Sequence, residues 1–289
     1  MIVKVLDIVI AGLVMGGIYA LIAVGLNLQY GVARVLNMAH GEFIMIGGFL
    51  AFWMFDLLGV SPLISLFISI PVLFVVGWVI HRLVYQPIRA KSESIPAFEG
   101  YAILASYGLI FIIESLTILT WGGRLRAYSY MASPIDILGS TFAANRLIAL
   151  ILASVISVLF YGLIAYTRTG KAIRAIAQDT EVAYLMGINV NALYGLTFGI
   201  GAVLAGLAGV ILSMMFSVSA VMGFTYTVIA IVVIVLGGLG NILGSLVGGL
   251  VLGLFGAIVI ALQPGLVMVA FYIVFLAILL IKPTGIFSK

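Results

Sequence analysis

An amide, an imidazole and a carboxylate stand close together in the run Asn37-Met38-Ala39-His40-Gly41-Glu42, inside a chain that is otherwise almost free of charge. An ionised side chain near the centre of a membrane helix costs about 2.5–3.5 kcal/mol on the mildest scale, so such groups need a reason to be there. At about 100° per residue, His40 projects about 300° from Asn37 and Glu42 about 200° from His40, so one helical face cannot hold all three. Gly41 weakens a regular helix further. The run is therefore predicted to be a helix end or a re-entrant break. Two readings fit it: a permeation pathway or gate, or a capped helix start at a cytoplasmic boundary with Asn37 near the N-cap and Glu42 at the favourable dipole end.

Glu114 is a second intramembrane carboxylate, in the middle of the apolar run from Tyr101 to Trp121. Such groups face the bundle interior or water rather than lipid. Pairing with a base such as Arg34, a hydrogen-bonded neutral acid, and a proton-carrying role are all compatible with it. The two histidines and the scattered acids offer no metal-ligand spacing. No nucleophile, base and oxyanion donor converge, and neither a His-Glu-x-x-His nor a Gly-x-Ser-x-Gly run is present, so no catalytic residue is assigned.

The longest polar stretch runs from Tyr166 to Ile188 and is still amphipathic. Ile173, Ile176 and Ala177 are predicted to share one helical face, with Arg174 and Asp179 elsewhere. A surface helix of this kind docks into a groove on a soluble partner or lies on lipid headgroups. Gly170-Lys171 looks like the end of a phosphate-binding loop, but Ala172 replaces the Ser or Thr and Ala165 the first Gly, which argues against nucleotide hydrolysis in this polypeptide.

The elements that must position these groups follow from composition. Of 289 residues, 65% are hydrophobic and 8% charged, and the mean hydropathy is +1.37, whereas soluble domains are about 25% charged. The apolar runs are continuous rather than alternating, so an all-α polytopic membrane bundle is expected, not a β-barrel. At about 20 residues per crossing, candidate spans lie near 5–29, 38–57, 61–81, 99–121, 142–165, 189–217, 222–238, 242–262 and 264–281: eight to ten crossings, centred on nine, with short separators that could hide half-helices. One transmembrane domain, 1–289, contains them all, with 166–188 as a cytoplasmic loop.

Basic residues set the orientation. Arg82, Arg89 and Lys91, then Arg168, Lys171 and Arg174, then Lys282 and Lys289 place two connections and the C-terminus in the cytoplasm. Arg124, Arg126 and Arg146 fall outside, against the rule, in a loop whose stretch from Tyr128 to Leu138 reads as a short interfacial segment. The net charge of +4 comes from small basic groups between apolar runs, a pattern for anionic lipid and not for nucleic acid. Cysteine is absent, and with it disulfides and thiolate chemistry. The first apolar stretch passes residue 30 without an early small-residue cleavage pattern and is read as part of the bundle. Gly240, Gly244 and Gly248 recur every fourth residue, with Gly249 and Gly253 one position over, predicting a helix face that a neighbouring backbone approaches closely. Gly237-Gly238 just before it predicts a break.

Asn37 to Glu42, preceded by Gly16-Gly17-Ile18-Tyr19-Ala20-Leu21, resembles the opening of the high-affinity branched-chain amino-acid permeases, the smaller membrane subunit of an ABC importer, where Asn-Phe-Ala-His-Gly-Glu is typical and Met38 here replaces Phe. The resemblance continues through Tyr85-Gln86-Pro87-Ile88-Arg89, the stretch from Arg168 to Asn189, Gly237 to Gly244, and Lys282-Pro283-Thr284-Gly285-Ile286, covering essentially the whole chain. Glu181-Val182-Ala183 followed by Gly187 is similar to the Glu-Ala-Ala-x-x-x-Gly loop through which such permeases meet their ATPases, with Val182 departing from the second Ala. The resemblance implies alternating access driven from outside the chain and ATPase coupling through Arg168, Gly170, Lys171, Arg174, Glu181, Ala183 and Gly187. It also implies ATP and Mg bound by two partner ATPases and no cofactor in this chain, with a second permease subunit, an extracytoplasmic binding protein and a bacterial or archaeal cytoplasmic membrane. A branched-chain amino acid is the expected substrate, with related amino acids and small amides also carried by the family. The competing expectation is a self-sufficient secondary transporter with Glu42 and Glu114 as ion-coupling carboxylates.

Overall fold

A computed structural model describes residues 2–137, 139–282, 285 and 286; Leu138, Pro283, Thr284 and Lys289 of the sequence reading lie outside the described residues. The helices are α1 (Ile2–Ala33), α2 (His40–Leu58), α3 (Pro62–Ile80), α4 (Gln86–Lys91), α5 (Ile95–Trp121), α6 (Ala144–Tyr166), α7 (Arg168–Gln178), α8 (Thr180–Leu185), α9 (Val190–Ser213), α10 (Gly223–Gly237), α11 (Ile242–Leu262) and α12 (Val267–Ile281). Among the described residues, eight helical segments are long and apolar enough to cross a membrane; α3 and α4 form one of them, joined by a π turn at His81–Tyr85. The chain is a polytopic helical membrane protein.

α10, at 15 residues, is too short to cross alone. The hairpin end of the bundle gathers Asp7, Phe142, Ile260 and Val267 around one cavity, while Ile286 donates its backbone N–H to Leu236 O at 2.9 Å at the end where α10 finishes. The described ends of the chain thus lie at opposite ends of the bundle, which needs an odd number of passages. The segment 214–222 leading into α10 completes the ninth.

The stretch read as a short interfacial segment is irregular up to Ser133 and then enters an antiparallel hairpin, β1 (Pro134–Ile137) on β2 (Ser140–Ala143), with Gly139 in its turn at φ 83°. Ahead of it, Tyr128 stacks on Phe55 and shares a 2.8 Å hydrogen bond with Ser213, tying the loop to the ends of α2 and α9. Burial pushes the Tyr128 phenol up to about 12, the Ser213 bond only partly opposing it. The unfolded phenol ionises near 10, so between 10 and about 12 the folded state holds the extra proton and stability falls as pH rises. Unfolding midpoints should drop over that window in the parent protein, and Tyr128→Phe should lessen the drop.

α9 is the most enclosed helix, buried almost continuously from Leu204 to Ser213, with α1, α2 and α3 packed around it. Contact there is backbone to backbone: Gly209 meets Ile44 O, Gly47 meets Gly206, and Gly201 meets Gly25 O. The glycines of α11 form two seams. Gly244 and Gly248 face Gly237 and Val233 of α10, while Gly249 and Gly253 face Ala20 and Gly16 of α1. Gly240 is a correction: it lies in the turn before α11 at φ 81°, against Gly31, because Asn241 caps the helix by accepting from Gly244 N at 3.0 Å. The break predicted at Gly237-Gly238 is present, with Gly238 at φ 94°.

Candidate transport site and coupling surface

α1 stops where Arg34 takes a left-handed φ of 54° and its N–H returns to Tyr30 O at 2.9 Å. Residues 34–39 then double back into the bundle, and α2 begins at His40, whose Nε2 donates to Ile22 O at 3.1 Å. Eleven residues of α1 separate Ile22 from Ala33, or about 16 Å of helix rise. The start of α2 is therefore deep in the bundle and not at its boundary, which corrects the boundary-cap reading. Ala39 occupies the N-cap position without a side-chain bond, and Asn37 lies two residues ahead of it.

Asn37, His40 and Glu42 are fully buried. Asn37 Oδ1 accepts from Tyr85 Oη at 3.0 Å and Ala39 N at 3.1 Å, and its amide donates to Gln29 Oε1 at 3.4 Å. Gln29 in turn donates to Phe198 O at 3.2 Å, which joins this centre to α9. Met38 N donates to Ser106 Oγ at 3.1 Å and Gly41 N to Thr227 Oγ1 at 2.7 Å. The backbone amides that a broken helix leaves unpaired are thus taken up by side chains from α5 and α10. Gly41 is required here, since a β-carbon would run into Gly223 O and Thr227 Oγ1.

Two groups at the centre keep unused capacity. His40 Nε2 carries the proton for Ile22 O, so Nδ1 is an acceptor, and it has no partner among the described residues. Among the described residues neither oxygen of Glu42 has a hydrogen-bond partner, and the carboxylate lies against Gly223 at the start of α10. Glu114 is half-buried on α5, close enough to Glu42 for their charges to interact. The Arg34 charge lies over the Tyr30 ring at the opposite end of α1 and not beside Glu114, so that suggested pairing is corrected. The arrangement can accept hydrogen bonds from a solute or water, and it brings no nucleophile and base together.

Tyr85 and Gln29 carry much of this network, and neither was singled out for it from sequence. Tyr85 enters through the π turn, whose extra residue swings its fully buried ring toward Asn37. Asn27 is the other omission: its amide donates to Gly238 O at 3.3 Å, Asn241 O at 2.9 Å and Ser245 Oγ at 2.6 Å, and its Oδ1 accepts from Gly240 N at 2.6 Å. Two amides inside an apolar run were the signal available. Arg89 closes the basic end of α1 by donating to Ala33 O, its guanidinium 4.0 Å from the centroid of the Phe98 ring and 4.4 Å from that of Tyr194.

The second cluster is at that basic end. Thr167 caps α7 by accepting from Gly170 N at 3.0 Å, and Gly170 fits only because its missing β-carbon makes room for Ile164 O. Arg174 donates to Ile164 O and Ala165 O, satisfying the last carbonyls of α6. Arg174 also lines a groove of about 1310 Å³ with Arg34 and Asn241. Ile173 and Ile176 are buried as expected, whereas Ala177 is exposed into this groove, which corrects its placement. Asp179 caps α8 by accepting from Glu181 N at 2.9 Å and Val182 N at 3.0 Å. Ala183 is buried, and Gly187 turns the chain at φ 82° with open space around it. Arg168, Lys171 and Glu181 are exposed, as are the apolar side chains of Val182, Tyr184, Leu185 and Met186.

A multi-pass helical bundle with a buried polar centre and an exposed apolar knob at one end is the architecture of a polytopic membrane protein, and its relatives make it a transport protein. Residues 8–281 match the family model described as branched-chain amino acid transport system / permease component. The chain is 32% identical to the high-affinity branched-chain amino acid transport system permease protein LivH of Salmonella typhimurium, over 96% of this chain and 94% of the relative. It is 34% identical to the corresponding permease protein BraD of Pseudomonas aeruginosa, with the same shares of each chain. The chain belongs to this family of branched-chain amino acid transport system permease components and is a transport component. The solved structure of PsaBC from Streptococcus pneumoniae in complex with Fab shares the fold, with a TM-score of 0.50 at 13% identity over 95% of this chain and 91% of that one.

Proposed function

We propose that this chain is one membrane subunit of an ABC importer, moving branched-chain amino acids across a bacterial or archaeal cytoplasmic membrane by alternating access. It works beside a second permease subunit, two ATPase subunits that bind ATP and Mg, and an extracytoplasmic binding protein. The observation that carries this reading is the α8 knob. Val182, Tyr184, Leu185 and Met186 are 53–81% exposed on a helix too short to stand alone, beside a buried Ala183 that fixes it to the bundle. An apolar surface of this kind, at the end of the bundle away from the hairpin and beside Arg34, Arg168, Lys171 and Arg174, fits a groove on a soluble partner.

The route inward is short. α7 is tied to the end of α6 by Arg174 and Gly170, and α8 leads into α9 through Ile188 N on Ala183 O at 3.1 Å and the Asn189 cap on Ala192 N at 3.1 Å. α9 holds Gln29 through Phe198 O and lies on Ile44 of α2 through Gly209. A push at α8 therefore arrives at the polar centre through one helix. ATP closure of the ATPases acts on the bundle only through a difference in affinity between its inward and outward states.

The test is uptake in proteoliposomes. The chain assembled with its partner subunits should import leucine only with ATP, and the chain alone should import none under a proton or sodium gradient. Gradient-driven uptake by the chain alone, insensitive to ATP, would establish the secondary-transport reading instead.

A further inference from the structure

The cavity at the hairpin end is separate from the polar centre. It holds about 600 Å³ between α1, α11, α12 and the start of α6, within the size range of small-molecule sites. Asp7 and Arg146 line it near the hairpin, where the loops of that end gather. Its opposite reach is aromatic: Tyr19, Tyr226 and Phe271, with Tyr19 and Phe271 edge to face at 6.1 Å. Tyr19 is twelve residues along α1 from Asp7, or about 18 Å of helix rise.

Arg146 breaks two rules. It is a cation on the side of the membrane that basic residues avoid, and it sits in the first turn of α6, at the positive end of the helix dipole. Residues that break local rules without a local gain mark functional positions. The space itself comes from small side chains on α1 and α11: Ala11, Ala257 and Ala261 stand where larger residues would fill it. The inner reach approaches the polar centre, since Tyr226 is one helical turn from Gly223, against which the Glu42 carboxylate lies.

We propose that this cavity is an entry site for a zwitterion with an apolar tail, an aliphatic amino acid whose carboxylate meets Arg146, whose ammonium meets Asp7, and whose side chain points toward Phe271. The inference rests on the transport reading above. The same chemistry is carried by a phosphatidylethanolamine headgroup with its acyl chains, and the experiment separates the two sources.

Saturation-transfer NMR on the assembled importer in nanodiscs, without its binding protein, reads the site with leucine, leucinamide and isocaproate, the last two lacking the carboxylate or the ammonium charge. The parent complex should bind leucine at least about tenfold better than either analogue, the size of one lost charge-assisted contact. Arg146→Gln should erase the preference over leucinamide only, and Asp7→Asn the preference over isocaproate only. A merely structural role would lower all three signals together and would overturn the proposal. So would native mass spectra in which phosphatidylethanolamine leaves both variants while no saturable leucine signal exists. ATP-driven leucine uptake in the same preparation keeps the two claims apart. Uptake without the analogue pattern removes the entry site and leaves the importer, whereas absence of branched-chain uptake removes the importer reading, and the entry site with it.

Discussion

Leu185→Asp combined with Met186→Asp is expected to abolish ATP-driven uptake while leaving the membrane subunit folded. Both side chains are about four-fifths exposed, 81% and 78%, so neither contributes much to the bundle in isolation. Exposed substitutions of this type stay within about 0.5 kcal/mol for folding. In a docked interface the same carboxylates must lose water without a partner, and buried interface anchors are worth about 2 kcal/mol or more each, so association should weaken by at least about 100-fold. The measurement is co-purification of the ATPase subunits and leucine uptake, beside the unfolding midpoint of the permease. Normal uptake by the double variant would remove α8 from the coupling pathway. Gly187 gives a companion variant: its φ of 82° strains any side chain even though the space is open, so Gly187→Val should displace the turn that leads α8 into α9.

Asn27→Leu is expected to destabilise the fold more than any other single polar substitution on α1. Its one amide serves four partners, and three of them, Gly238 O, Gly240 N and Asn241 O, are backbone groups of the turn between α10 and α11. Side-chain hydrogen bonds between membrane helices average only about 0.6 kcal/mol, which would make a single loss minor. Four such bonds lost together are a different case, even though Gly238 O still accepts from Asn241 N and Asn241 O from Ser245 N. A total of about 2–3 kcal/mol follows from four bonds at that average, or a fall of about 5–10 °C in unfolding midpoint at the scale for a chain of this size. Thermal unfolding in nanodiscs measures it. A fall under about 2 °C would mean that water reaches the turn and replaces the side chain.

The helices were legible because apolar length is a local property. Eight of the nine expected runs became membrane-length segments, and the ninth, 222–238, became the half-helix α10. The break at 34–39 was legible in the mismatch of Asn37, His40 and Glu42 with any one helical face, but its depth was not, because depth is set by where Ile22 lies on a different helix. Gly244 and Gly248 could be read from spacing, whereas Gly240 could not, since a four-residue period does not say where Asn241 caps the helix. Asn27 was invisible for the plainest reason: its partners are more than 210 residues away. The hairpin at Pro134–Ala143 was hidden by its shortness and by apolar residues that suit an interfacial segment equally well.

The seam between α1 and α11 has a consequence for how the protein is made. Gly16 of α1 receives Gly253 of α11, and Asn27 finds its partners between Gly238 and Ser245, so α1 cannot be seated until the much later α11 has followed it from the ribosome. Until then α1 waits in the bilayer with Asn27 lacking its partners, in a solvent that offers it nothing. Biogenesis therefore has a vulnerable interval that the finished molecule does not show. Truncated nascent chains ending before α11 should be the species that membrane chaperones hold and proteases clear.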